Sequence, residues 1–452
     1  METRKAPIFF YLILSIFLSS LPKSSFSKAP FFPKEALPSK TGYLIVNPST
    51  GSAIYYAFYE AQQSTSALSQ TPLLVWLQGG PGCSSMLGNL YELGPWRVHR
   101  SNQTIKLEAN KGAWNRIFGL LFLDNPIGTG FSIAASPQEI PRDQHGVAEH
   151  LFVAIKAFVT MNTSFKSRPI YITGESYAGK YVPAIGSYIL TKNRRLLESE
   201  RVNLAGVAIG NGLTDPKTQV ATHALNAYFS GLINEKQKAQ LEAAQEEAVK
   251  LVDARTWADA TNARNEALEM LQSMTGLATL YDMRRKIPYE SELVERFLSN
   301  VEVKKAFGVN NTAIWEECSY AVEAALHEDV MKSARPMVEV LVRESKVLLY
   351  QGQCDLRDGV VSVEAWMRKL NWEGISGFLA SERKVWKVGG ELAGYVQKWK
   401  SLSHVVVLGA GHFVPTDQAV NSQAMIEDWV LERGLFAGAE NRNRSSNHGP
   451  YL

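Results

Sequence analysis

One serine of the chain stands in a setting that is typical of a nucleophile. Ser176 is the central residue of GESYA (174–178), a variant of the G-x-S-x-G pattern with alanine in the fifth position. The apolar run RPIYITG (168–174) precedes this serine, and a helical stretch over 181–192 follows it. Because a tight turn between a strand and a helix exposes a serine to a substrate, we expect Ser176 to act as a nucleophile.

A serine of this kind needs a histidine base and an acid that orients the histidine, in the chain order Ser, Asp, His. His412 lies just past the apolar run HVVVLGA (404–410), where an α/β sheet should expose its catalytic edge. The preceding strand, VLLYQG (347–352), leads to Asp355. Asp358 is the alternative acid. We expect it to cap a turn, but the sequence alone also allows Asp358 to be the triad acid in place of Asp355. The other histidines after the serine fall in a helical region, at the start of a strand or in the tail: His223, His327, His404 and His448.

Continuous apolar runs alternate with helical stretches around these residues. The runs are PLLVWLQ (72–78), IFGLLFLD (117–124), LAGVAIGNG (204–212), SKVLLYQG (345–352) and HVVVLGAG (404–411). Continuous apolarity favours strands that are buried on both faces, as in a parallel sheet under helices. Helices are expected over 145–161 and 419–432. The pattern therefore predicts the α/β fold class.

A change of composition divides the chain. From 217 to 335 it is rich in Ala, Glu, Gln and Lys and has no strand-like runs, so helices are expected there. We therefore predict a first core segment (28–216), a helical insertion (217–335) of the size of a lid, and a second core segment (336–436).

The two ends of the chain predict export. Residues 1–27 have the charged, apolar and small-residue parts of a secretory signal peptide, and the Asn-rich tail (437–452) is expected to be disordered. N-glycosylation sequons agree with a secreted protein, either extracellular or vacuolar, that leaves the membrane once its signal is removed. They are Asn102, Asn162, Asn310 and Asn443.

Composition excludes other classes of function. The 452 residues carry a net charge of +3, which gives no basic surface for nucleic acid, and 45% of them are hydrophobic, which allows a sizeable core. The segment HGVAEH (145–150) is one residue too long for an H-x-x-E-H zinc motif, so His145 and Glu149 are expected on a solvated helix face. No metal and no cofactor are expected.

Several motifs together resemble the signatures of the serine carboxypeptidases. They are WLQGGPGCSS, NPIGTGFS, GESYAGKYVP, GNGLTDP and GAGHFVPTDQ, and they occur in this order between about 41 and 433. The resemblance implies an α/β-hydrolase fold, in which the central sheet carries a helical lid, and an exopeptidase that acts on peptide or protein C-termini. It implies Ser176, Asp355 and His412 as the triad, and the backbone N–H groups of Gly80 and Tyr177 as the oxyanion hole.

The resemblance also implies how the free carboxylate of a substrate is bound. Gln78 and Glu175 match the family's recognition positions, with Glu92 behind them and Trp76 alongside. Gln78 departs from the commoner asparagine, so we expect activity with altered specificity. Two adjacent carboxyl groups that meet a substrate carboxylate cannot all be charged. Peptide hydrolysis is therefore expected to be favoured in acid.

The chain has three cysteines, too few for a disulfide scaffold. The resemblance implies that Cys83 pairs with Cys318 and that Cys354 stays free. A Cys83–Cys354 bridge and three free thiols are the alternatives. The sequence does not define the oligomeric state, and a homodimer remains open.

Two other functions compete with the peptidase. An acyltransferase of the same fold would pass the acyl group to an alcohol, but those relatives tend to carry G-D-S-Y-S, whereas this chain has Glu175 and Ala178. A binding protein with a degenerate site is the third hypothesis. Because every triad position is filled, the sequence favours the peptidase.

Overall fold

The computed structural model describes residues 32–102 and 104–437. The predicted signal peptide (1–27) and the predicted tail (437–452, apart from its first residue) lie outside these residues. The β-strands of the described residues are β1 (Lys40–Asn47), β2 (Ser52–Tyr59), β3 (Leu73–Leu77), β4 (Trp96–Ser101), β5 (Thr104–Ala109), β6 (Gly119–Leu123), β7 (Ile170–Glu175), β8 (Leu204–Gly210), β9 (Lys346–Gly352), β10 (Lys384–Val388), β11 (Glu391–Trp399) and β12 (Leu402–Val407).

The α-helices connect and cover these strands. They are α1 (Ser85–Leu87), α2 (Gln144–Thr160), α3 (Thr163–Lys166), α4 (Ala178–Asn193), α5 (Pro216–Val220), α6 (His223–Phe229), α7 (Glu235–Asp253), α8 (Trp257–Thr275), α9 (Glu292–Leu298), α10 (Val301–Ala306), α11 (Tyr320–Leu326), α12 (Arg335–Glu344), α13 (Val360–Met367), α14 (Ile375–Ala380), α15 (Val414–Asp417) and α16 (Ala419–Val430).

The main sheet has 10 strands in the order β1-β2-β6-β3-β7-β8-β9-β12-β11-β10. Neighbouring strands from β6 to β12 are parallel. The central strands β3, β6 and β7 are buried along their whole length, which confirms the α/β prediction from the apolar runs. The antiparallel edges were not predicted, because an edge strand such as β10 buries only Trp386 and has no continuous apolar run.

Helices cover both faces of the sheet, and successive strand residues alternate between two cores. On one face, Val75 and Ile172 pack in a cluster with residues of α2, α4 and α12. On the other face, Leu74 and Tyr171 share a cluster with residues of α16. The two layers of helices explain why both faces of the strands are apolar.

The region between α5 and α12 is helical and contains no strand among its described residues, as the composition predicts. Helix α7 begins with a capping box, in which the side chain of Asn234 accepts from the backbone of Gln237 and the Gln237 side chain accepts from the backbone of Asn234. Helices α6, α7 and α8 enclose small apolar clusters of their own.

A disulfide joins Cys83, in the loop after β3, to Cys318, just before α11. Cys354 is free and buried. The pairing implied by the resemblance is therefore present in the structure. In the described part of the chain, no helix is both long and apolar enough to cross a membrane.

Candidate active site

The turn after β7 holds Ser176 in a left-handed conformation, with φ of 61°. Its backbone N–H donates to the carbonyl of Gly210 over 3.0 Å, so the turn is fixed to the neighbouring strand β8. Little room exists beneath the turn, because a Cβ added to Gly174 would lie 2.4 Å from the carbonyl oxygen of Leu77 and 2.7 Å from Cβ of Ala178. Ala178 therefore fits in the fifth position of the motif only because Gly174 has no side chain.

His412 and Asp355 meet at the carboxyl ends of β12 and β9. Nδ1 of His412 lies 2.7 Å from Oδ2 of Asp355, and both side chains are buried. Further donors hold the carboxylate: Nδ2 of Asn211 binds Oδ2 over 2.7 Å, and the backbone N–H of Arg357 binds Oδ1 over 2.7 Å. Asp355 is thus fixed on several sides and orients one ring nitrogen of His412.

Asp358, the alternative acid, does not contact His412. Its Oδ1 accepts from Nε2 of Gln219, and its Oδ2 faces Arg264 at 3.9 Å. The turn-capping role expected for Asp358 is wrong, because Asp355 itself accepts from the backbone N–H groups at the start of that turn, including that of Asp358 over 3.3 Å.

Tyr281, from the helical region, supports the other side of the histidine. The two rings stack with centroids 4.5 Å apart, and the backbone N–H of His412 donates to the carbonyl of Tyr281 over 2.7 Å. Nε2 of His412 is buried and has no hydrogen-bond partner among the described residues. This nitrogen is therefore free to take part in proton transfer.

The loop that follows β3, GGPG (79–82), is rich in glycine and is called the glycine loop; it lies directly against the serine turn. A Cβ added to Gly79 would lie 2.7 Å from both the Cβ of Ser176 and the backbone nitrogen of Tyr177. Gly80 has φ of 110°, a conformation that side chains rarely adopt, and an added Cβ would lie 2.8 Å from the backbone nitrogen of Cys83. The glycines thus let the loop approach the serine.

A second polar group occupies the carboxyl ends of β3 and β7. Leu77 pairs with Gly174 in the sheet, so the residues that follow them, Gln78 and Glu175, lie side by side. Nε2 of Gln78 donates to Oε1 of Glu175 over 2.8 Å, while Nε1 of Trp76 donates to Oε1 of Gln78 over 2.8 Å. Glu92, at the end of the π-helical segment Gly88–Glu92, is fully buried, as is Glu175.

Comparison with known proteins gives consistent results. The family model for serine carboxypeptidase matches residues 30–432. Serine carboxypeptidase-like 50 of Arabidopsis thaliana is 57% identical over 438 residues, which cover 97% of this chain and 97% of that protein. The chain belongs to the serine carboxypeptidase family. By family, its enzyme class is serine-type carboxypeptidase, a hydrolase.

More distant members of the serine carboxypeptidase family match over most of their length. The probable serine carboxypeptidase CPVL of Homo sapiens is 32% identical over 415 residues, 89% of this chain and 85% of that protein. Among solved structures, the prohormone-processing carboxypeptidase Kex1Δp of Saccharomyces cerevisiae matches with a TM-score of 0.79 and 26% identity. That match covers 88% of this chain and 92% of that chain. The α/β-hydrolase fold is thereby confirmed.

The pKa values of Glu92 and Glu175 are both raised in this serine carboxypeptidase. Burial raises the pKa of Glu92 from 4.5 to about 7, although the neighbouring Glu175 and Gln78 side chains and the charge of Arg97 oppose the rise. Burial and then the charge of Glu92 raise the pKa of Glu175 well above 4.5. Both oxygens of Glu92 and Oε2 of Glu175 have no hydrogen-bond partner by distance among the described residues. At acidic pH the pair therefore holds protons.

Residues of the helical region cover the serine. A cavity bounded by the serine turn and the glycine loop is closed above by side chains of α8, α11 and the segment that follows α11. Its lining residues are Gly80, Pro81, Ser176, Tyr177, Leu213, Thr261, Arg264, Asn265, Glu323, His327, Val330, Arg357 and Asp358. The helical region therefore contributes to the cavity at the serine, and its role as a lid stays a prediction.

A buried ion pair attaches the serine turn to this lid. Nζ of Lys180, on α4, lies 2.6 Å from Oδ2 of Asp329, and both side chains are almost fully buried. The hydroxyl of Tyr177 and Nε2 of Gln144 donate to the same oxygen over 2.7 Å each. Sequence analysis missed this group and also the contacts of Asn211 and Tyr281. A signal existed for Asn211, which lies in the GNGLTDP motif.

The remaining predicted residues lie away from the serine. Asn102, Asn162 and Asn310 are exposed, and Asn443 lies outside the described residues. His145 and Glu149 are exposed on α2, as expected. Within 32–102 and 104–437, no group of His, Cys, Asp or Glu side chains is arranged to hold a metal ion.

Proposed function

We propose that this protein is an exported serine carboxypeptidase that removes C-terminal residues from peptides and proteins, with Ser176, Asp355 and His412 as its triad. The observation that carries the proposal is the fully buried pair Glu92–Glu175, in which Glu175 directly precedes Ser176 and burial raises the pKa of both carboxyl groups. An ordinary esterase has no need of two buried acids beside its nucleophile. A site for a free carboxylate does, because a protonated carboxyl donates a hydrogen bond to it.

In the proposed reaction, Ser176 Oγ attacks the carbonyl carbon of the last peptide bond. Nε2 of His412 takes the hydroxyl proton and then gives it to the leaving amine, while Asp355 holds Nδ1. Backbone N–H groups of Gly80 and Tyr177 would stabilise the oxyanion, and removal of one such donor typically costs about 10²–10³ in kcat. Water then attacks the acyl-enzyme in the second half of the reaction.

Gln78, Glu175, Glu92 and Trp76 would bind the carboxylate of the leaving residue. Trp76 orients Gln78 through its amide oxygen, so that the amide nitrogen faces Glu175. When the pH rises through the pKa of Glu92, about 7, the pair gains negative charge and repels the substrate carboxylate. Peptidase activity should therefore be highest in acid and fall through neutral pH, and a rate that rises into alkaline pH would contradict the model.

Export is part of the proposal. It rests on the signal-like residues 1–27, on the exposed sequon asparagines and on the Cys83–Cys318 disulfide, since disulfides persist in oxidising compartments. Cleavage after about residue 27, read by N-terminal sequencing of the secreted protein, is the expected result. Recovery of the protein with residues 1–27 still attached would overturn this part.

The deciding experiment compares a blocked peptide with a free C-terminal carboxylate with the same peptide as its C-terminal amide. Release of the last residue is measured at acidic pH for the wild type and for Ser176→Ala. We expect the free acid to be cleaved far faster and Ser176→Ala to lose about 10⁶ in kcat. Equal cleavage of acid and amide would reject carboxylate recognition, and full activity of the variant would reject Ser176 as the nucleophile.

A further inference from the structure

Two arginines line the cavity above Ser176. Arg264 comes from α8 of the lid, and only 4% of its side chain is exposed. Arg357 follows the proposed catalytic acid by two residues, and 30% of its side chain is exposed. A guanidinium is almost never buried without a partner, because its charge and its N–H donors lose their water. The partners of these two groups therefore indicate what the cavity is built to hold.

Among the described residues, one buried carboxylate, that of Asp358, faces both arginines. Oδ2 of Asp358 lies 3.9 Å from Nη2 of Arg264 and 4.0 Å from Nε of Arg357, and both distances are too long for hydrogen bonds. The other oxygen, Oδ1, accepts from Gln219 over 3.1 Å. Among the described residues, no hydrogen bond reaches the Arg264 guanidinium, so its N–H donors remain available inside the cavity.

Other charged and titratable groups lie near the cavity, but within the described part of the chain none of them forms a hydrogen bond with the Arg264 guanidinium, and Asp355 accepts from the backbone N–H of Arg357 and not from its side chain. Glu323 is exposed on α11, His327 is half-buried, and Glu269 lines the adjoining cleft together with the ring of Tyr281. Burial, and then the charge of Arg357, lower the pKa of Arg264 only to about 10. Arg264 therefore keeps its charge at every acidic or neutral pH.

The cavity lies on the acyl side of the proposed cleavage site. It contacts Ser176 and both proposed oxyanion residues, but the carboxylate-binding residues Gln78, Glu92 and Glu175 do not line it. In the proposed function, the C-terminal residue occupies the side of Ser176 on which these glutamates lie. The opposite side must then receive the penultimate residue, which becomes the acyl group.

We propose that this cavity binds the side chain of the penultimate substrate residue and that Arg264, with Arg357, selects an acidic side chain there. The inference rests on the proposed function. A glutamate carboxylate would accept from the free donors of Arg264, and such charge-assisted bonds are about twice as strong as neutral ones. A lysine would meet two guanidinium groups, and the carboxylate of Asp358 already faces both of them.

The test uses blocked dipeptides with the same C-terminal phenylalanine and either Glu, Gln, Ala or Lys before it. The rate of phenylalanine release gives kcat/KM for each peptide at pH about 5.5, where a free glutamate side chain is ionised. We expect kcat/KM for Glu to exceed that for Gln by about tenfold and that for Lys by more. The Glu-to-Gln ratio should fall towards one below pH about 4, where the substrate glutamate is protonated.

Variants identify the residue responsible. Arg264→Met should bring the Glu-to-Gln ratio close to one, Arg357→Met should lower it less, and Arg264→Lys should keep it above one. Arg296→Met is the matched control, since it removes an exposed arginine of α9 that does not line the cavity, and it should leave the ratio unchanged. The ratio is insensitive to a general loss of active enzyme. If Arg264→Met does not fold, Arg357→Met carries the same test.

The outcomes separate this inference from the proposed function. Equal rates for Glu and Gln, a preference for Lys, or a ratio that survives both methionine variants would overturn the subsite while leaving the peptidase in place. No phenylalanine release from any peptide by the wild type would overturn the proposed function itself, and the inference with it.

Discussion

Two buried carboxyl sites flank the serine turn, and they are built in opposite ways. Asp355 receives hydrogen bonds from a histidine ring, an amide side chain and two backbone N–H groups. Glu92 and Glu175 receive few. Burial raises the pKa of both, and the charge of Glu92 raises that of Glu175 further. The comparison teaches that the donors around a buried acid set its protonation: in the proposed function, the charged Asp355 orients the base, whereas the glutamates hold protons for the substrate carboxylate.

The largest effect is expected at Asp355, the carboxylate that receives the most hydrogen bonds. Asp355→Asn keeps the size of the side chain but allows the wrong histidine tautomer, so kcat should fall about 10⁴-fold for every substrate, whether acid, amide or ester. Stopped-time assays on a peptide acid and on an ester report this directly. A loss confined to substrates with a free carboxylate would show that Asp355 acts in carboxylate binding and not on His412.

At the pair of glutamates the effect should depend on the substrate. Glu175→Ala removes a hydrogen bond to a charged group, which costs about 10–100-fold in kcat/KM for peptides with a free carboxylate. Hydrolysis of an ester without a carboxylate should change little. Glu266→Ala, at an exposed position of α8, serves as the matched control. An equal loss on both substrates would show that Glu175 acts on the triad and not on the ligand.

The protonation of the pair should also appear in stability. Because the folded protein holds the Glu92 proton up to pH about 7 and the unfolded chain releases it near 4.5, the free energy of unfolding should fall as pH rises between these values. Glu92→Gln cannot lose a proton there. The difference between wild type and variant, measured by urea unfolding at several pH values, should therefore shift by on the order of 1–3 kcal/mol. A difference that stays constant with pH would show that Glu92 is charged in the folded protein.

The smallest effect is expected at Gln78. Gln78→Asn shortens the side chain by one methylene, so the amide can no longer reach both Trp76 and Glu175 as it does now. We expect kcat/KM to change within about tenfold and the preference for the C-terminal residue to shift. The shift is measured as kcat/KM for a set of peptides that differ only in the last residue. The same order of preference in wild type and variant would show that Gln78 does not determine specificity.

The sequence predicts the sheet better than it predicts the lid. The strands that carry Ser176, Asp355 and His412 are buried on both faces, and continuous apolar runs reveal such strands. Tyr281 stacks on His412 and Arg264 lines the cavity, yet both lie in a helical region whose composition is ordinary. Their positions depend on packing between distant segments, which residue patterns do not encode.

The choice between Asp355 and Asp358 is a second feature that the sequence alone does not predict. Both follow β9 within a few residues, so the order of elements allows either. Only the turn geometry separates them, because Asp355 accepts the backbone donors of the turn and thereby faces His412. Asp358 points instead towards Gln219 and the arginines of the cavity.

The bond between Cys83 and Cys318 has a consequence for the integrity of the chain. Cys83 lies before the helical insertion and Cys318 near its end. A protease that cuts anywhere between 217 and 317 would therefore produce two polypeptides that remain covalently joined. Each would carry part of the proposed triad, with Ser176 on one and Asp355 and His412 on the other. Such a two-chain enzyme would keep its sheet and would separate on a gel only after reduction.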